Sequence, residues 1–120
     1  MTPYEHSVLS VRDFGGKAED YIKIHEFLDQ TKFHYPDWRH RAILHNGFGM
    51  GLCEQVIGYA ILNSDGNFVS TREVARKHIG QDLNGFIPTI KDWLVGLSRD
   101  QEWMNTPSKA DLSYLKMLKK

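Results

Sequence analysis

Apolar and polar positions alternate along this chain mostly with a helical period. Residues 17–32 place Tyr21, Ile24, Phe27 and Leu28 on one stripe, the spacing of an amphipathic helix. Residues 36–57 open on Pro36 and carry Ile43, Leu44, Phe48, Leu52 and Val56, which predicts one long helix. Four further helices are announced by their first turns. Thr2 with Glu5, Ser70 with Glu73, Thr89 with Asp92 and Ser108 with Asp111 are each a hydroxyl followed three residues on by an acid. In that arrangement the two side chains cap each other's backbone amides. Helices are therefore expected over 3–13, 71–83, 90–98 and 108–118, the first stopped by Gly15-Gly16 and the 71–83 helix followed by Gly85. The period changes to two only at 59–63 and 67–70, around Asp65-Gly66, which predicts a short β-hairpin. An isolated hairpin is marginal in water and must lie against helices. The expected fold is mainly α: a compact bundle of about five to six helices with one short hairpin near 59–70.

The chain has 120 residues, 41% of them apolar and 25% charged, enough for one hydrophobic core and too apolar for a disordered chain. Basic and acidic residues number 15 each, which argues against a nucleic-acid-coating protein, since those carry a basic excess. The single cysteine, Cys53, rules out an internal disulfide and fits a reducing compartment; it reads as a small buried residue. No apolar run approaches a membrane span, and the polar start is not that of a signal peptide. The charge is unevenly placed. Residues 108–120 carry Lys109, Lys116, Lys119 and Lys120 against Asp111, while the other 107 residues carry 11 bases and 14 acids. This divides the chain into a globular helical domain, 1–104, and a basic tail helix, 105–120.

Candidate chemistry concentrates on histidine. His25, His34, His40 and His45 fall within 21 residues, among Asp, Arg and aromatic side chains. Two His-x-x-x-Asp pairs stand out, His25 with Asp29 and His78 with Asp82. Residues four apart on a helix share a face, so imidazole and carboxylate can hold one cation, or the carboxylate can orient the imidazole. Scattering 15 acids over 120 residues gives fewer than one such pair by chance, so two is a small excess. Their bland counterpart is a pair of surface contacts. Asp37, Arg41, His45, Gly49 and Cys53 step by four along the expected long helix, a stripe that either faces water or lines a site. Arg41 can clamp a phosphate or carboxylate through its planar fork, or pair with Asp37. Gly47-Phe-Gly-Met-Gly51 lacks the spacing of a phosphate loop and points to close helix packing. Trp38, Trp93 and Trp103 are expected in the core or as a lid, with Trp93 anchoring the 90–98 helix.

These observations support a metal centre built from His25, Asp29, His45, His78 and Asp82. The mixed nitrogen and oxygen donors suit zinc, manganese or iron, with Arg39, His40 and Arg41 as binding groups for an anionic, plausibly phosphorylated, small molecule. Hydrolysis by a metal-held water is the matching reaction. The competing expectation is a non-enzymatic protein that binds a host macromolecule through its tail or apolar faces, and a homo-oligomer formed through those faces stays open.

The succession Phe14-Gly-Gly, Ile24-His-x-Phe-Leu-Asp29, Arg39-His-Arg-Ala, His45, Asn63-Ser-Asp-Gly66, His78-x-x-x-Asp82 and Asp92-Trp-Leu94 resembles an uncharacterised family of small proteins encoded in phage and bacterial genomes. It spans about residues 6–104. The resemblance implies a single domain and brings no reaction with it; with one cysteine and no signal peptide, the expected location is a cytoplasm, the host's if phage-encoded. Where the family's pattern has an acid before the second aspartate, this chain has Gln81.

Overall fold

A computed structural model describes residues 1–96 and 101–118. Among them, seven α-helices and one hairpin follow in order: α1 (Pro3–Phe14), α2 (Ile22–Asp29), α3 (Arg41–Leu44), α4 (Gly47–Ile57), β1 (Ala60–Leu62), β2 (Phe68–Ser70), α5 (Thr71–Asp82), α6 (Ile90–Gly96) and α7 (Lys109–Leu118). Short 3-10 turns cover Ala18–Asp20, Gln30–Phe33, Trp38–His40 and Glu102–Met104. The mainly α architecture expected from the sequence is the observed one.

All four expected helix starts are capped by their hydroxyl, two of them reciprocally. Thr2 and Glu5 bond reciprocally, at 2.8 and 3.1 Å, and so do Thr89 and Asp92. Ser70 accepts from the Glu73 amide and Ser108 from that of Asp111. Gly15 ends α1 at φ +80°, a backbone that only glycine enters cheaply. Positions 97 and 98, the expected end of α6, and Lys119 and Lys120 in the tail lie outside the described residues. Every described residue from 105 to 118 is exposed.

The strands pair antiparallel, Ala60 with Ser70, Ile61 with Val69 and Leu62 with Phe68. Their inner residue Val69 joins the core, and the turn is clamped from below. Asp20 accepts from the amide and hydroxyl of Ser64, and Asp65 accepts from the Gly16 amide at 2.8 Å. This docks the hairpin on the α1–α2 junction, as its marginal stability demands.

The core is drawn from Tyr21 just before α2, from α2 (Ile24, Leu28), α3 (Leu44), α4 (Met50, Cys53), β2 (Val69) and α5 (Val74, Ala75, Ile79). Cys53 is fully buried, and burial pushes its thiol up to about 12, so it is a packing residue. No described helix is long and apolar enough to cross a membrane.

The expected long helix 36–57 is broken into the 3-10 turn Trp38–His40 and two α-helices, α3 and α4, which is why there are seven α-helices and not six. His45 leaves the helix at φ −85°, ψ 64°, and Asn46 is extended and caps α4 by accepting from the Gly49 amide at 2.8 Å. The Asn46 amide group also donates to the carbonyls of Ala42 and Ile43, both at 3.1 Å, closing the end of α3. One side chain thus satisfies groups on both sides of the break. The break rotates α4 relative to α3, so Met50 and Cys53 face the core while Ile43, Phe48 and Val56 are exposed. It also ends the continuous stripe expected from Asp37 to Cys53. Gly49 is small because the Leu44 backbone carbonyl, at the end of α3, sits where its Cβ would be, a close approach of two helices as expected. Trp38 and Trp103 are exposed, contrary to expectation, and only Trp93 is partly buried.

Candidate metal centre

Four helices turn polar side chains toward one another in the interior. The clearest case is α1, whose buried face is His6, Ser7 and Ser10 while Tyr4 and Val8 face outward. Polar groups are buried only when something pays for their lost hydration, so this inverted helix marks what it packs against. Opposite it stand His25 and Asp29 on α2, His45 at the end of α3, and His78 and Asp82 on α5.

Four donor atoms converge. Asp82 Oδ2 lies 2.8 Å from His45 Nε2 and 3.3 Å from His78 Nε2. Asp29 Oδ1 lies 3.1 Å from His78 Nε2 and 3.5 Å from His45 Nε2. The two Nε2 atoms are 3.1 Å apart. Both imidazoles are fully buried, Asp82 nearly so, and Asp29 is the most exposed of the four, at 11% of its side chain. These atoms form a group able to hold a metal ion.

The separations test whether an ion fits. With metal–ligand bonds of about 2.0–2.2 Å, donors sit about 3.3–3.6 Å apart around a tetrahedral ion and about 3.0 Å apart when adjacent on an octahedral one. The five edges given above run from 2.8 to 3.5 Å and overlap both arrangements. A second set, His6, His25 and His78, also lies close, but its geometry suits support and not coordination. The His6 and His78 rings stack at 3.7 Å and 26°, so their in-plane lone pairs run side by side and do not meet at one point.

Electrostatics bind the group tightly. Burial alone would raise the Asp82 carboxyl, yet hydrogen bonds from His45, His6 and His78 hold it far below the usual carboxylate range. Asp29 is likewise lowered, its burial outweighed by the His78 bond. Burial works against a charged His78, but the Asp29 and Asp82 bonds overcome it and raise its affinity for a proton. Burial lowers His45, against the pull of Asp82. His25 is pushed down to about 3, by burial and then by its His78 and His6 neighbours, and is neutral at any ordinary pH.

The sequence-predicted residues divide accordingly. Asp29, His45, His78 and Asp82 meet. His25 does not join its helical partner Asp29 at the centre: its Nδ1 is 2.8 Å from His78 Nδ1 and its Nε2 is 2.8 Å from Ser10 Oγ, so it stands behind His78. Arg41 reaches Asp82 Oδ1 at 3.6 Å, not Asp37. His40 is buried with its ring edge-on to His45 at 5.7 Å, and Thr31 lies 3.2 Å from its Nδ1. Arg39 is not at the centre; its guanidinium is exposed, paired with Asp37 at 2.6 Å and lying over the Tyr35 ring. Sequence reasoning missed His6, whose Nε2 is 3.2 Å from Asp82 Oδ1 and whose Nδ1 meets the Gln81 amide oxygen at 2.7 Å. It also missed Ser10. The available signal was the i,i+4 pair His6 and Ser10 on a capped helix, which the apolar Tyr4 and Val8 on the other face obscured. Trp93 supports the centre from outside by donating its indole N–H to the His45 carbonyl at 2.9 Å.

Fold and site together define a small helical protein with a buried histidine–aspartate centre able to take a metal ion. The chain belongs to the family described as a domain of unknown function, DUF6915, whose sequence model matches residues 1–104. No curated protein and no solved structure matches it.

Proposed function

We propose that this is a divalent-metal protein, with Asp29, His45, His78 and Asp82 as its ligands, and that the centre hydrolyses a phosphorylated or other anionic small molecule. The observation that carries the metal assignment is the set of donor separations, 2.8–3.5 Å between atoms of four side chains from three helices. Charge supports it. Two carboxylates buried close together are costly unless positive charge lies among them, and a divalent ion balances both. Zinc, manganese and iron all accept this donor set.

Hydrolysis is supported by the exposure of Asp29, which lines a surface cavity of about 390 Å³ together with Pro3, Glu26, Gln30, Lys32 and Phe33. One side of the centre is therefore within reach of solvent and substrate. A bound ion supplies the chemistry of lowering the pKa of a water it holds, giving a nucleophile near neutral pH. Arg41, partly exposed and beside Asp82 Oδ1, is the cation placed to meet an anionic group, with Lys32 at the cavity rim.

Elemental analysis of protein purified without chelator should find close to one equivalent of zinc, manganese or iron, and His45→Ala with His78→Ala should remove it. Unchanged metal content in that double variant would sink the assignment. A phosphatase and nuclease screen of the loaded protein decides the hydrolytic part: turnover lost in the same variant supports it, and no turnover on any anionic ester counts against it.

A further inference from the structure

We propose that Ser10 and His25 are positioning residues that hold a proton on His78 Nδ1, so that Nε2 is the nitrogen turned toward the ligand group and the one that exchanges its proton for an ion. This rests on the metal reading above and concerns how the chain prepares one ligand before an ion arrives.

Directional bonds across three helices carry it. The Ser10 hydroxyl donates to the His6 backbone carbonyl one turn back, at 3.1 Å, the usual i−4 bond of a serine within a helix. Its hydrogen is thereby committed, and the oxygen has only lone pairs to offer the His25 Nε2 atom 2.8 Å away. His25 must then donate from Nε2. With His25 donating from Nε2, its Nδ1 is the nitrogen free to accept in the short contact it makes on its other side. The atom facing that Nδ1, at 2.8 Å, is His78 Nδ1, which must be the donor. The two rings are inclined by only 19°, so the bond lies close to both ring planes. The remaining His78 nitrogen, Nε2, is the one within 3.1–3.3 Å of Asp29 Oδ1, His45 Nε2 and Asp82 Oδ2.

The sequence of bonds has no route for water to replace a member. Ser10 and His25 are each 1% exposed and His78 is fully buried. A partner on the far nitrogen of a metal-ligating histidine fixes its tautomer and orientation, and losing it costs about 10- to 100-fold in metal affinity. In most such arrangements the far partner is a carboxylate or backbone carbonyl. Here it is a second, neutral histidine, oriented in turn by a serine.

The test uses the full chain. Long-range nitrogen–proton correlation NMR of the wild type reads the His25 tautomer with no metal required, and the expected result is His25 protonated on Nε2. Zinc affinity is measured by competition with a chelating dye, and the visible spectrum of the cobalt-loaded protein reports ligand geometry. Ser10→Ala should bind zinc about 10- to 100-fold more weakly and shift the cobalt bands. His25→Phe, which keeps a ring without nitrogens, should lose at least as much. His25→Gln, whose amide can accept from His78 and donate to Ser10, should recover most of it. His25 protonated on Nδ1, or a folded Ser10→Ala with wild-type affinity and spectrum, overturns the proposal. A wild type that binds neither ion overturns the metal reading instead, and the NMR measurement still decides the tautomer.

Discussion

At the scale of single residues, His25 gives this protein a defined acid sensitivity. An imidazole held neutral down to about pH 3 has its proton affinity lowered by folding. Between its unfolded value near 6.5 and that folded value, the unfolded chain binds more protons, so stability falls as the pH falls. His45 and His40 are lowered too, chiefly by burial, and act in the same direction. His78 acts oppositely: its raised value contributes stability at low pH that is lost as pH rises through it. The lowered Asp29 and Asp82 contribute stability that is lost only once the pH falls below about 4. From pH 7 to 5, then, three groups destabilise and one resists, with His25 alone contributing a loss on the order of 2 kcal/mol. Urea midpoints of the metal-free protein should fall steadily over that range, and His25→Gln should flatten the slope. Equal slopes in the wild type and His25→Gln would show that His25 is not held neutral in the folded state. At this scale the sequence named most of the centre, because His and Asp four apart on a helix are conspicuous. It concealed His6 and Ser10, since a polar face on a short helix is ordinarily the solvated one.

At the scale of elements, the decisive feature is the break at His45–Asn46. The pattern over 36–57 reads as continuous because it records only which residues are apolar. The break is made by one side chain that closes α3 and opens α4. The effect of Asn46 is tertiary: it turns His45 out of the helix and toward Asp82. Asn46→Ala should therefore cost about 1–2 kcal/mol from the lost cap and its buried bonds, and should also weaken metal binding by displacing His45. Gly49→Ala should cost more, because its new methyl meets the Leu44 carbonyl. Urea unfolding and a zinc titration of both variants would check this. Wild-type stability in Gly49→Ala would mean that the α3–α4 junction is looser than described. The helix starts were legible for the opposite reason, since a capping pair spans three residues and needs no distant partner.

At the scale of the whole molecule, the centre joins α1, α2, α3 and α5, so an ion there would also brace the fold. A ligand present at 100 times its dissociation constant stabilises by about 2.7 kcal/mol, on the order of 10 °C in melting temperature for a chain this size. Chelation should lower the melting temperature by that much. Removing residues 105–120 should leave both the melting temperature and the chelation effect nearly unchanged, since the described part of that stretch is exposed throughout and the family match ends at 104. Differential scanning calorimetry of the full and shortened chains, each with and without chelator, tests both statements. A chelator without effect on the full chain would argue against an ion that braces the bundle.

The sequence by itself determined what depends on neighbours along the chain: the four capped helix starts, the glycine stop after α1, the hairpin, and the supply of histidines and aspartates. Only the tertiary structure decided which of them meet. His78 finds Asp29 across 49 residues and His45 finds Asp82 across 37, while His25 turns away from its own helical neighbour to stand behind His78. Helical spacing says which side chains share a face. Which face turns inward is settled by the packing of the other helices, and in α1 that packing placed the polar face inside.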